Sequence, residues 1–172
     1  AVVLCGLDVA SNFAKHPPVR IAGIGQATDT HCVHNRADML DLKAVRMAAE
    51  RAYAMAGIGP RDISLAELHD AFLILEVAES EEVGFFERGQ AQVAIERGET
   101  EVTGRIPINT SGGLKAKGHP VGATGVSQIH ELVKQLRGQA EVGRQVADPR
   151  FGLAVNFGGF GNNVVATILA KE

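Results

Sequence analysis

Three stretches of this chain put chemistry-bearing residues where the backbone changes direction. His69 and Asp70 end an apolar run over residues 63–68, and Asn156 stands just before the glycines of FGGFG. His119 lies inside GGLKAKGHPVGATG, residues 112–125, where five glycines surround one His-Pro pair. Pro120 suits the first turn of a helix, because it lacks the N–H that would be orphaned there. A histidine at a helix N-terminus meets the positive end of the dipole, which disfavours imidazolium. A neutral imidazole can donate to a developing oxyanion or take a proton from a nucleophile. The flanking glycines let backbone approach a ligand without side-chain obstruction. Taken singly, each residue also fits a structural role: His69 a satisfied core histidine, His119 a helix cap, Asn156 a turn residue.

Other motifs fail on their chemistry. Gly113 and Gly118 have P-loop spacing, but His119-Pro120 replace the Lys and Ser/Thr that would hold phosphate and metal. GIGQAT at 23–28 has Thr28 in place of a third glycine, and no helix begins there, so it reads as the end of a buried strand. His31, Cys32 and His34 form one ligand cluster without a second Cys/His pair, so a polar loop is the better reading and no metal site is expected.

Positioning these residues requires alternating strands and helices. Val/Ile-rich alternation makes residues 19–26 a strand, and residues 63–68 read as a second one. A strand near residues 2–4 and a helical turn precede the Pro17-Pro18 linker. Helices are predicted over residues 41–57, stopped by Gly57, over 71–86 and near 90–97. GRIPIN (104–109) is a short extended piece leading into the glycine cluster. The helix following it carries Val126, Ile129, Val133 and Leu136 at helical spacing. Two Val/Leu-rich strands joined through glycines close the chain as a hairpin. The pattern is an α/β layer domain with a mixed sheet, and candidate sites belong beyond the carboxyl ends of its strands.

Composition narrows the function classes. The chain has 172 residues, 45% apolar and 22% charged, which is ordinary for a globular protein. A net charge of -3 without basic runs gives no nucleic-acid footprint. No apolar stretch approaches the roughly 20 residues that span a bilayer, so no membrane partner is expected. Cys5, in an apolar run, and Cys32, in a polar loop, read as free thiols of a reducing, cytoplasmic compartment.

Taken in order, ELHDAF, GGLKAKGHPVGATG and VNFGGFG resemble the C-terminal half of a thiolase, in the archaeal and sterol-carrier-protein-type branch. The similarity covers nearly the whole chain, with residues 1–17 resembling the end of a thiolase N-terminal half and 18–172 the C-terminal domain. It implies half of a layered αβαβα fold, with a mixed five-stranded sheet carrying helices on both faces. It also implies acyl transfer on coenzyme A thioesters, of the acetyl-CoA acetyltransferase or 3-ketoacyl-CoA thiolase type in lipid metabolism. Coenzyme A enters as substrate, and no separate cofactor is implied. The residue matching His119 activates the acylated cysteine and helps bind the thioester oxygen. The residue matching His69 holds a water in the same oxyanion hole. Phe72 matches a residue that shapes the acyl and pantetheine pocket, and Gly118 frames the His-Pro pair. Gly158 and Gly159 match a loop contributing to a second oxyanion hole. The implied partners are an acyl-CoA, an N-terminal thiolase half, a second copy in a dimer or higher oligomer, and an OB-fold, zinc-ribbon acyl-CoA-binding protein.

Two departures stand out. The resemblance assigns the nucleophilic cysteine to the other half, which makes this chain a fragment or one subunit of a split enzyme. The acid/base cysteine of the enolate step would fall on Ala71, or on Val155 or Asn156 depending on register, and none of these shuttles protons at neutral pH. That leaves two alternatives open: a thiolase-fold retro-aldolase acting on a hydroxyacyl-CoA, and a non-catalytic CoA-binding or scaffold subunit.

Overall fold

In the closing hairpin, successive side chains alternate between two cores, which makes this hairpin the centre of a sheet covered on both faces. Its strands are β3 (Phe151–Gly158) and β4 (Asn163–Lys171). Leu153, Val155 and Phe157 face one core, whereas Ala154 and Leu169 face the other. The computed structural model describes residues 1–10, 12 and 15–172, so Ser11, Phe13 and Ala14, within the expected 1–17 segment, lie outside the described residues. In chain order the elements before the hairpin are α1 (Leu7–Ala10), β1 (Val19–Thr28), α2 (Lys43–Ala56), β2 (Leu65–Glu67), α3 (Leu73–Glu82), α4 (Ala91–Glu96), α5 (Gly113–Lys117) and α6 (Thr124–Leu136).

The sheet order is β1-β4-β3-β2. β4 runs antiparallel to both neighbours and β3 pairs with β2 in parallel. The carboxyl ends of β1, β2 and β3 therefore share one edge of the sheet.

The sheet has four strands rather than the five expected. GRIPIN supplies only one parallel bridge, Ile108 to Ala66. Pro107 has no N–H for a ladder, although its carbonyl accepts from Ala66 N. Asn109 then takes a positive φ of 52°, and its side-chain oxygen accepts the next donor, Leu68 N, at 2.8 Å. A side chain thus replaces the rung a fifth strand would have made. Residues 2–4 form no strand either, and Cys5 beside them is exposed, as is Cys32.

α2 lies directly on the sheet because both surfaces are small. A Cβ on Gly25 would overlap the Ala48 carbonyl oxygen, and one on Gly23 the Ala52 carbonyl oxygen. Gly57 ends α2 in the left-handed conformation, its N–H donating to Tyr53 O. On the opposite face, Leu132 and Leu136 of α6 pack with Leu65, Ala154 and Leu169. The other stripe of α6 has a different fate: Val126 is 44% exposed, and with Ile129 and Val133 it lines a groove of about 610 Å³ against Ile21 and Ile24 of β1. The face of α6 that is buried also carries Thr124, Gln128, Glu131 and Gln135.

Candidate active site

Where β2 stops and β3 runs on, three side chains from separate elements meet. His69 follows β2, Asn156 lies near the end of β3, and His119 precedes α6. The rings of His69 and His119 are 4.8 Å apart and nearly perpendicular, at 84°. The amide nitrogen of Asn156 stands 3.2 Å from His69 Nδ1. Of the two residues left open by register, Asn156 faces His69 and Val155 is buried in the core.

Local chemistry sets the protonation of His69. His69 is 3% exposed and packs on the Phe157 ring at 4.4 Å. Burial, reinforced by His119, pushes its pKa down to about 4, against the opposing pull of Asp70. The ring is neutral at pH 7. An amide N–H can only donate, so Nδ1 accepts from Asn156 and the ring proton sits on Nε2. His69 is thus a fixed hydrogen-bond donor through Nε2–H.

His119 is exposed, with Nδ1 2.7 Å from the buried Thr124 hydroxyl. The same hydroxyl lies 3.3 Å from Pro120 O, and when its proton points there its lone pair accepts from Nδ1–H. In that tautomer a neutral His119 presents a free Nε2 lone pair, the form a base needs. With His119 in that tautomer the two histidines are complementary, one a donor and one an acceptor. The helix does not begin at Pro120 as expected. The proline opens a preceding turn, accepting from Ala123 N and Thr124 N, and α6 starts at Thr124. Thr124 therefore reaches back to His119 from the first helical residue.

Buried carboxyl groups hold the surrounding loops. Glu79 Oε2 accepts from His69 N at 3.0 Å, and burial pushes this fully enclosed carboxyl well above the usual range. Asp70 Oδ1 accepts from Leu114 N at 2.8 Å, and a Cβ on Gly113 would overlap its other oxygen. Glu67 accepts from the Ser111 hydroxyl at 2.6 Å and lies 3.3 Å from Lys117 Nζ; burial, opposed by Lys117, raises its pKa. The glycine loop is thus tied to the end of β2 at both Glu67 and Asp70.

The remaining candidates lie around this centre. Phe72 is 61% exposed at the start of α3, its ring 6.5 Å from that of Phe160 in the β3–β4 turn. Gly158 is the exposed last residue of β3, and Gly159 follows with a φ of 62°. Gly118 ends the short α5, a helix that the density of glycines conceals in the sequence. Thr124, Glu79 and Gln128 are absent from the candidates that the sequence motifs supply, though buried polar residues on otherwise apolar segments are a usable signal. Among the described residues, no cluster of three or more His, Cys, Asp or Glu side chains could hold a metal, and no helix is long and apolar enough to cross a membrane.

Comparison with known proteins identifies the fold family. Residues 25–171 match the family model described as thiolase C-terminal domain-like. The acetyl-CoA acetyltransferase of Methanothermobacter thermautotrophicus is 42% identical over 99% of this chain and 44% of its own length. Sterol carrier protein 2 of Gallus gallus is 42% identical over 99% of this chain and 31% of its own. Among solved structures, the Ltp2-ChsH2(DUF35) aldolase superposes with a TM-score of 0.82 at 29% identity, covering 94% of this chain and 41% of that one. The chain thus spans less than half the length of these relatives. With a domain model matched over most of its length and a relative at 42% identity, the chain belongs to the thiolase family as its C-terminal half.

Proposed function

We propose that this chain supplies the thioester-polarising half of an acyltransferase acting on acyl-CoA. The observation that carries this reading is the pair of imidazoles 4.8 Å apart, His69 with Nδ1 against the Asn156 amide and His119 with Nδ1 against the Thr124 hydroxyl, which leaves both Nε2 atoms for chemistry: His69 as donor and His119 as base. In acyl transfer, His119 Nε2 takes the proton of an attacking thiol supplied by the N-terminal half. The resulting thiolate attacks the thioester carbonyl. The imidazolium and His69 Nε2–H then face the oxygen on which negative charge builds, and such preorganised donors usually contribute most to catalysis of this kind. Collapse expels the coenzyme A thiolate, which recovers the proton from His119. Phe72 and Phe160 offer apolar surface to the acyl or pantetheine chain, and Gly118, Gly158 and Gly159 leave the approach to the histidines open. The groove bordered by Val126 and Ile129 is the surface this reading assigns to the N-terminal half, because apolar side chains of this extent are stabilised by cover.

A second reading is favoured by one observation: the residue facing His69 is Asn156, not a thiol, and Ala71 packs on the core, so the site offers a single base. A retro-aldol cleavage of a 3-hydroxyacyl-CoA needs only one. His119 would take the hydroxyl proton, the carbon–carbon bond would break, and the thioester enolate would recover that proton at its α carbon. The donors that polarise the thioester oxygen serve both reactions. Incubation of the full-length protein with acetoacetyl-CoA and free coenzyme A separates them. Acyl transfer consumes one coenzyme A and yields two acetyl-CoA. Loss of a 3-hydroxyacyl-CoA to a carbonyl compound and a shorter acyl-CoA, with acetoacetyl-CoA untouched, selects the aldolase. Turnover of neither substrate contradicts both.

A further inference from the structure

We propose that Gln128 is a positioning residue that locks His69, Asn156 and His119 into one unit by bridging the diverging ends of β2 and β3 from α6. The last parallel pair is Glu67 with Ala154, after which β2 ends while β3 continues to Gly158 beside β4. Gln128 is 1% exposed, and its side-chain amide enters at this fork. Its nitrogen donates to Val155 O at 2.8 Å and to Glu67 O at 3.2 Å. Those carbonyls lie one residue before Asn156 and two residues before His69. One carboxamide with two N–H donors therefore sets the spacing of the two strands where the site residues leave them.

The same helix face carries the third member. Thr124, one turn earlier, holds His119 Nδ1. Gly125 sits between them, where an added Cβ would come 3.4 Å from Asn156 Cγ, so the helix presses close against the strand end. All three residues of the candidate site are thus held from one face of α6. The Oε1 atom of Gln128 is buried and has no partner among the described residues. An orphaned buried acceptor costs stability, so a side chain that serves packing alone would be better apolar. What the amide adds is register between β2, β3 and α6.

The test uses the full-length protein and two variants, Gln128→Met, which keeps volume without donors, and Gln128→Glu, which replaces donors by acceptors. ¹⁵N spectra of the histidine side chains at pH 7 read His69 directly and require no turnover. The parent should show His69 with a protonated Nε2 and an accepting Nδ1. Both variants, folded by circular dichroism, should show the averaged pattern of two exchanging tautomers. The kinetic arm rests on the proposed function: kcat should fall about 100-fold with KM little changed, the scale expected for a misplacement of about 1 Å. A parent-like ¹⁵N pattern in both variants overturns the proposal, as does an averaged pattern with kcat within about twofold of the parent. Unfolding of both variants also overturns it, because Gln128 would then be a structural residue. Averaged tautomers in a protein whose parent turns over neither substrate leave the positioning role standing and reject the reaction.

Discussion

His69 shows how burial turns an ordinary side chain into a fixed donor. Enclosure by Phe157 and the neighbouring His119 hold its pKa near 4, and Asn156 directs its proton to Nε2. Linkage gives this a measurable sign. The folded pKa lies below the unfolded value of about 6.5, so the unfolded chain binds the proton first as pH falls. The stability associated with neutral His69 is complete above pH 6.5, declines as pH drops towards 4 and is flat below. The unfolding free energy of the parent relative to His69→Gln should therefore fall by about 3 kcal/mol between pH 7 and pH 4. Glu67, Glu76 and Glu79, raised by burial, act with the opposite sign, losing their contribution as pH rises through their folded values. They are present in both proteins and cancel in the difference. Denaturant titrations across this pH range measure it, and a flat difference would mean that His69 is not held neutral. His69, His119 and Asn156 are legible in the sequence because each ends an element beside glycines or apolar runs. Thr124, Gln128 and Glu79 are not, because their importance lies in partners 5, 27 and 10 residues away, respectively.

At the scale of elements, close approach is what the glycines of β1 provide. Gly23 and Gly25 bring the backbone of α2 against the sheet over Ala48 and Ala52, both fully buried. Gly25→Ala forces a methyl into the Ala48 carbonyl and should cost about 3 kcal/mol, the upper range for overpacking. Urea unfolding of the full-length protein measures this, and a loss below about 0.5 kcal/mol, typical of a surface change, would mean that α2 does not rest on β1 as described. The strand and helix order is readable because period and turn residues agree along β1, α2, α6 and the β3–β4 hairpin. The fifth strand misleads because residues 2–4 form no strand and the extended GRIPIN adds a single bridge to β2, ending where Asn109 takes a positive φ. The α6 stripe misleads differently. Helical spacing reveals an apolar face without saying what covers it, and Val126 and Ile129 line a groove while polar Gln128 and Gln135 are buried.

At the scale of the molecule, the parallel β1, β2 and β3 bring their carboxyl ends to one edge, and β4 returns between β1 and β3. That topology gathers His69, Asn156 and the Gly158–Gly159 turn at one place, and α6 delivers His119 to it. Glu67 and Asp70 clamp the glycine loop from beneath, so the exposed imidazole of His119 stands on an anchored base. The proposed function rests on polarisation of a thioester carbonyl by these groups, whichever bond is then broken. Polarisation is read in the carbonyl stretching frequency of carbonyl-¹³C-labelled acetyl-CoA bound to the full-length protein, compared between the parent and His69→Ala, because His69 Nε2–H is the donor already in place before any proton moves. The frequency should shift downwards in the parent, and the shift should be lost in the variant with coenzyme A still bound. The same frequency in both proteins, or no shift from free acetyl-CoA in the parent, would contradict polarisation by His69.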